Sequence, residues 1–451
     1  MLNLHYQKYV LSISSNNYMV GLGGTNKAIK AHQELLNNNK ISYLFLCPFY
    51  KDNKSQNNKN SESTNYWIVY NDGNYTGVYK TENIINQIIF HNERDYKLSC
   101  FFIHHLKDIS IYSVQRIIDC TDAVIYLYIH DYYTICPCYT LIRNKGYFCG
   151  GGEVSSQKCE GCCHMSDAIP HFKKIYDFLH KNKIRLNIIA PSEAASKVWL
   201  KAYPDFVDHV KIIYHQTCTG LYQNNLEELS PEDPIRIAFV GKSNLSKGWE
   251  QWKRLVYDIP NHATNIELYH FGSADEYIPK VKVVPVDFRN DMNEMVNALR
   301  SNKIHCSILW SIWPETYSYT FYECFASNTF IITNKLSGNI KDQVLRNHNG
   351  VVLDNEDELH ALIKTDNMLI SYINHFRQQK IYGPEELHEN DELSGLVLDA
   401  LNKNGIIKTG MIKMTGLGHI CLWLSISYKL DLIRRKFKTM MRSFGRNEII
   451  I

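Results

Sequence analysis

WPETYSYTFYECFASNTFIITN, Trp313 to Asn334, carries two glutamates, Glu315 and Glu323, eight positions apart at the mouth of an apolar run. Its TFIIT end reads as a strand. Upstream, SILW closes another strand, SIWPE is the loop after it, and a helix begins near Ser318 to Thr320. Strand, loop, helix, strand is the repeat of a doubly wound sheet, whose ligands lie beyond the carboxyl ends of the strands. A helix start at that place presents backbone N–H groups and the positive end of its dipole, which suits a phosphate. Glu315 then stands in the loop and Glu323 about one turn inside the helix, so both are expected to reach one crevice at different depths.

Working outward, the same beat covers most of the chain. YVLSIS, ISYLFLCPF, KLSCFFIHHL, DAVIYLYIHD, RLNIIAPSE and VKIIYH read as strands, with helices at TNKAIKAHQELLNNN, IPHFKKIYDFLHKNK and ASKVWLKAYP. After QTCTGLYQNNLEELSPEDP the alternation restarts with IRIAFVG, GWEQWKRLVYDI, NIELYHFG, KVKVVPVDF, MNEMVNALRSN and KIHCSILW. Pro231 and Pro234 mark a linker. The expected fold is α/β, with a Rossmann-like domain over 1–218, a linker over 219–234, a second Rossmann-like domain over 235–404 and a tail over 405–451. KDNKSQNNKNSESTN, from Lys51, is too polar to pack and reads as a surface loop.

Bulk properties agree with two domains: 451 residues exceed what one core accommodates. A net charge of +3 over that length does not favour nucleic acid as a partner. The N-terminus MLNLHYQKYVLSISSNNYMV lacks the basic, apolar and small-residue regions of a signal peptide, so the thirteen cysteines read as reduced and the protein as cytoplasmic.

Taken singly, either glutamate reads more simply as a solvated carboxylate, but two other segments argue for a site. In FVGKSNLSKGWE a strand ends in Gly241, Lys242 follows, and Lys247 precedes Gly248 where a helix opens. Two ammonium groups in a strand-to-helix loop are placed to neutralise a diphosphate as charge develops on a leaving oxygen. In NNYMVGLGGTNKA, Gly21, Gly23 and Gly24 separate the first strand from the first helix and let backbone approach a ligand. The full G-x-G-x-x-G spacing is missing, which speaks against a nicotinamide cofactor.

Together these segments resemble the family-4 retaining glycosyltransferases. Glu315 and Glu323 match their E-x7-E motif, and VGKSNLSKG is similar to their G-R-x-x-x-x-K-G loop. GLGGTNKA, His130–Asp131 and APSE (Ala190 to Glu193) fall in the family's order, and the similarity runs over about residues 8 to 400. The resemblance implies a GT-B enzyme, two Rossmann-like domains facing a cleft, that moves a hexose from a UDP- or GDP-type sugar without a catalytic metal or other cofactor. By position it implies that Glu323 binds the ribose hydroxyls, Glu315 the donor sugar, and Lys242 with Lys247 the diphosphate. Backbone at Tyr319 and Thr320 completes the phosphate site, beside Gly241. His130 approaches the sugar from the N-terminal domain, with Gly23 and Gly24 lining the same cleft. Lys242 replaces the family's more usual arginine, losing a bidentate fork, and Ser318 stands where glycine is common.

Six cysteines crowd into 136–163. Cys159 and Cys162 form a C-x2-C pair able to share one tetrahedral ion, with Cys136 and Cys149 as further ligands. A structural zinc in an insert over 136–164 is the expectation; bacterial polysaccharide glycosyltransferases similar to this chain carry such an insert. Free buried thiols fit the same spacing.

Past Gly405 the pattern changes. MIKMTGLGHICLWLSIS is apolar but too short and glycine-broken to span a bilayer. In the following segment Leu430, Ile433, Phe437, Met440, Met441 and Phe444 make a helical stripe, with Lys429, Arg434, Arg435, Lys436, Lys438, Arg442 and Arg446 on other faces. Such a helix suits an anionic membrane surface, or a terminal helix packed on the N-terminal domain. The expected function is transfer to a growing glycan, lipid-linked, at the inner face of a bacterial membrane during surface polysaccharide assembly. That biological setting follows from the family and from the Asn- and Lys-rich style of the chain. A non-catalytic GT-B subunit, a GT-B epimerase or phosphorylase, and a zinc-containing nucleic-acid-binding protein are the alternatives.

Overall fold

The computed structural model describes residues 4–21, 23–50, 66–92, 96–144, 146–220, 227–259, 265–273, 276–287, 291–364, 367–379, 386–402 and 421–444. The polar segment from Lys51, residues 411–420 of the apolar tail segment, and the side chains of Phe437, Met440, Met441 and Phe444 lie outside the described residues.

The chain divides into two compact units. The first comprises residues 1–19, 32–126 and 394–451. In chain order it draws on β1 (Lys8–Ser14), α1 (Gly24–Asn38), β2 (Ile41–Pro48), β3 (Tyr66–Asn71), β4 (Asn74–Lys80), α2 (Thr81–Asn92), β5 (Lys97–His105), α3 (Ile111–Ile118) and the start of β6 (Val124–Tyr128). Its strands lie in the order β6-β5-β1-β2-β3-β4. β1 pairs in parallel with β2 and β5, and all of β1 except Lys8 is buried. A strand covered on both faces needs a continuous apolar run, which is why YVLSIS and ISYLFLCP read so plainly.

β3 and β4, which the alternation did not foretell, add an antiparallel hairpin at the edge. Its turn is Asp72-Gly73, both residues in the left-handed region (φ 49° and 78°), and an Asp-Gly pair between alternating apolar residues is the strongest short-range hairpin signal.

The second unit comprises residues 20–31 and 127–393. After the end of β6 come the short hairpin β7 (Ile142–Arg143) and β8 (Tyr147–Phe148), then α4 (Met165–Lys181), β9 (Leu186–Ala190), α5 (Glu193–Leu200), β10 (Val210–Ile212) and β11 (Gln216–Thr219). The alternation restarts with β12 (Ile235–Val240), α6 (Trp249–Asp258), β13 (Ile266–Phe271), β14 (Val281–Val284), α7 (Glu294–Ser301), β15 (Cys306–Ile308), α8 (Tyr319–Ala326), β16 (Phe330–Asn334), α9 (Asn339–Asn347) and β17 (Gly350–Leu353). α10 (Glu356–Lys364), α11 (Met368–Gln378), β18 (Glu386–Glu389) and α12 (Glu392–Asn402) follow.

Strands β12 to β17 form a parallel sheet of order β14-β13-β12-β15-β16-β17. Numbered by sequence this is 3-2-1-4-5-6, the doubly wound order, and the direction of winding reverses between β12 and β15. The loops leaving those two strands carry Lys242 and Lys247 on one side and Glu315 on the other. The helix expected near Ser318 begins at Tyr319. Ser318 is its cap, the hydroxyl accepting from Phe321 N–H at 3.3 Å.

The tail helix α13 (Leu422–Phe444) packs on the first unit at β4. The Val78 amide donates to Ser425 Oγ (2.9 Å), the Cys421 amide donates to the Val78 carbonyl (2.9 Å), and Tyr428 Oη accepts from Asn17 (2.6 Å). Among the described residues no helix is long and apolar enough to cross a membrane.

Candidate active site

All of the site residues nominated from sequence fall in the second unit, since residues 20–31, with Gly23 and Gly24, belong to it. Glu315 and Glu323 are both buried, 3% and 6% exposed, although each sits where a solvated carboxylate was the simplest reading. A buried carboxylate needs a partner, and each has a lysine.

Glu315 Oε1 lies 2.9 Å from Lys247 Nζ and accepts a bond from Ser311 Oγ. The loops that make this pair are themselves locked together. Lys247 ends a short 3-10 turn whose cap, Asn244, accepts from the Lys247 amide at 3.0 Å, and the Ile312 amide donates to the Ser246 carbonyl at 3.0 Å. Gly248 follows at φ 82°, pressed on the Trp310 carbonyl; a Cβ there would lie 2.9 Å from the Trp310 carbonyl carbon. The backbone of Glu315 is held from the other side by Gly338 (φ 61°), whose place a Cβ would bring to 2.6 Å from the Glu315 nitrogen, and by Asn339, whose amide donates to the Glu315 carbonyl at 3.0 Å. Asn339 Oδ1 also accepts from the Ser318 amide at 3.2 Å.

Glu323 Oε1 is 2.7 Å from Lys27 Nζ, a residue of α1. Lys27 is buried too, and its ammonium stands 4.8 Å from the centre of the Tyr319 ring. Lys27 lies inside GLGGTNKA, where the sequence marks only the glycines as site residues. Gly24 borders the same ring, a Cβ there falling 3.6 Å from Tyr319; Gly23, exposed, makes no such approach. Ala28 joins Tyr319 and Phe321 in one apolar cluster.

Tyr319 caps a column of rings: Tyr128 on His130 (5.6 Å), His130 on His215 (5.4 Å) and His215 on Tyr319 (5.8 Å), each pair nearly parallel. Burial pushes the pKa of His215 down to about 3, so the centre of the column is a neutral imidazole. The His130 carbonyl accepts from Thr316 Oγ1 (2.6 Å), Tyr132 Oη donates to the Pro314 carbonyl (2.9 Å), and Ser192 of APSE donates to the Thr316 carbonyl (2.6 Å). Two motifs that are separate in sequence, His130–Asp131 with the adjoining Tyr132 and APSE, are thus bonded to the loop that carries Glu315.

At the start of α8 the amides of Tyr319 and Thr320 have no hydrogen-bond partner among the described residues, as expected of a helix N-terminus. Gly241, at the end of β12, faces it: a Cβ there would meet Thr320 at 3.7 Å. Lys242 is exposed and makes no ion pair among the described residues, unlike Lys247.

The four nominated thiols, Cys136, Cys149, Cys159 and Cys162, border a single pocket together with Cys138 and His164. The turn of the C-x2-C pair is closed by the Cys162 amide donating to the Cys159 carbonyl at 2.9 Å. Burial, with Cys138, Cys149 and Cys159 nearby, pushes the Cys136 thiol up to about 12, and burial raises Cys149 as well. Among the described residues no set of three or more His, Cys, Asp and Glu stands at metal-binding geometry.

No family model matches the chain, and no curated protein matches it in sequence. Its structure is similar to that of sucrose-phosphate synthase from Thermosynechococcus elongatus, with a TM-score of 0.53 at 12% identity, covering 88% of this chain and 98% of that one. It is similar as well to a variant of S. aureus TarM in complex with fondaparinux, alpha-GlcNAc-glycerol and UDP, with a TM-score of 0.50 at 11% identity, covering 88% of this chain and all of the other. At such identities the likeness is one of architecture, and the architecture is GT-B, built on two Rossmann-like sheets.

Proposed function

We propose that the protein is a retaining glycosyltransferase that moves a hexose from a UDP- or GDP-type sugar to a glycan acceptor, lipid-linked, in bacterial surface polysaccharide synthesis. The observation that carries this reading is the pair of buried carboxylates, eight positions apart, placed with lysines at the switch point of a doubly wound sheet. Glu323 takes the ribose, Glu315 the transferring sugar, and Lys247, Lys242 and the α8 amides the diphosphate, whose charge grows as the glycosyl bond breaks. His130 and the glycine loop line the acceptor side. The UDP in the TarM complex supports a nucleotide donor. The chemistry proposed requires no metal or other cofactor, because ammonium groups and a helix start stabilise the leaving diphosphate.

Thermal shift with UDP, GDP, ADP and CMP is the direct test. At ligand near a hundred times its dissociation constant a binder stabilises by about 2.7 kcal/mol, a rise of several degrees. Glu323→Ala should abolish that rise and also lower the unliganded melting temperature, because Lys27 stays buried without its carboxylate, so the rise is read against the unliganded value of each protein. No shift with any nucleotide would sink the reading and leave a non-catalytic GT-B subunit.

The thiol pocket is proposed to hold a structural zinc, on the C-x2-C spacing of Cys159 and Cys162 and on the pocket that they line with Cys136 and Cys149, although the four thiols do not stand at ligand geometry in this structure. Metal analysis of the purified protein checks it. We also propose that α13 rests on an anionic membrane at the cytoplasmic face. Its Ser425 and Tyr428 side is bonded to the sheet, whereas Leu422, Trp423, Ile426, Leu430 and Ile433 are exposed, Trp423 by 86%. At 3.6 residues per turn these five share a sector of about 100°, flanked by exposed Lys429 and Arg434. Flotation with phosphatidylglycerol vesicles should carry the protein, Trp423→Ser with Ile426→Ser should reduce binding about tenfold or more, and equal flotation of both proteins would refute the role of this face.

A further inference from the structure

We infer that Lys27 is a positioning residue for nucleotide selection, setting the Glu323 carboxylate to receive a ribose diol; this rests on the assignment of Glu323 to the ribose. Glu323 has one oxygen committed and one open. Oε1 is bonded to Lys27 at 2.7 Å, and no bond to Oε2 exists among the described residues. The ammonium is fixed from three sides, by the carboxylate, by the face of the Tyr319 ring 4.8 Å away, and by the helix that begins at Gly24. Tyr319 and Glu323 stand four residues apart on α8, on one face, so a single lysine ties that face down.

The surroundings contain polar atoms that still lack partners. Asn26 Oδ1, on the residue before Lys27, and Tyr319 Oη, on the ring beneath its ammonium, are both buried without a hydrogen bond. Buried polar groups are seldom left so.

The physical role of Lys27 is to hold the buried carboxylate in place and aimed. A buried charge deprived of its partner is strongly disfavoured. Without the ammonium, Glu323 turns away from its buried place and loses its grip on a diol. A hydrogen bond to a charged group is among the stronger kinds, so the loss should fall on ligands that have the diol and spare those that lack it.

The test compares UDP and GDP with their 2′,3′-dideoxy counterparts by calorimetry on the full-length protein. The wild type is expected to prefer the ribose form by about tenfold or more. Lys27→Met should weaken the ribose form to the level of the dideoxy form, leaving the dideoxy affinity within about twofold, and Lys27→Arg, which keeps the charge, should retain most of the preference. Should Lys27→Met fail to fold, Lys27→Gln, which keeps a donor without the charge, serves in its place with the same expectation. Equal weakening of both sugar forms marks Lys27 as a packing residue only and overturns the inference, as does an unchanged preference. Failure of the parent assignment looks different: Glu323→Ala would keep the ribose preference.

Discussion

Lys247→Met is expected to lower glycosyl transfer by about 10²–10³-fold, the usual loss when one preorganised charge facing a leaving group is removed. It should also destabilise the protein, because Glu315 stays buried at 4% side-chain exposure with its ammonium gone. A fully buried pair broken this way costs about 3–5 kcal/mol. Lys247 is itself 28% exposed, so water compensates in part and about 1–3 kcal/mol is the expected loss. The two effects separate on a second background. With Glu315→Gln added, the carboxylate charge disappears and most of the stability should return, while transfer stays at the lowered level or below it. Urea unfolding and nucleotide release with a glycan acceptor read the two quantities. A Lys247→Met enzyme that transfers at wild-type rate removes Lys247 from the site.

Gly248→Ala should cost about 2–5 kcal/mol through two additive causes. The residue sits at φ 82°, where an L side chain pays about 1–2 kcal/mol, and its Cβ would run into the Trp310 carbonyl, where overpacking typically adds about 1–3 kcal/mol. In a unit of this size that lowers the melting temperature by about 5–15 °C. The carbonyl in question belongs to the loop leading to Glu315, so the Lys247–Glu315 pair should loosen with it. Gly150→Ala is the control, because its φ is also positive (88°) but no atom stands within 4 Å of the added carbon; it should show the backbone cost alone. Similar melting temperatures for the two variants would mean that the Trp310 contact yields without cost.

What the sequence made legible follows from locality. Parallel strands buried on both faces must be largely apolar, so β1, β2, β5, β12 and β16 stand out as runs, and α8 begins at Tyr319, inside the Ser318 to Thr320 window expected. The β3–β4 hairpin lies outside the alternation of strands and helices, and its one local mark is the Asp72-Gly73 turn. Pairings across long stretches left no local trace. Lys27 and Glu323 are 296 positions apart, and a single lysine on an amphipathic helix reads as solvent-facing whatever it touches. The grip of Gly338 and Asn339 on the Glu315 backbone was equally silent, since a glycine before a helix has many ordinary reasons to be there.

The docking of α13 on β4 has a meaning separate from membranes. Both main-chain groups of Val78, at the outermost strand of its sheet, are taken up by the start of that helix. An uncovered border of this kind is an open template on which another polypeptide can add itself. A chain cut short before Cys421 would keep the candidate site residues and lose its end-stop, and the damage would show first as self-association in concentrated solution.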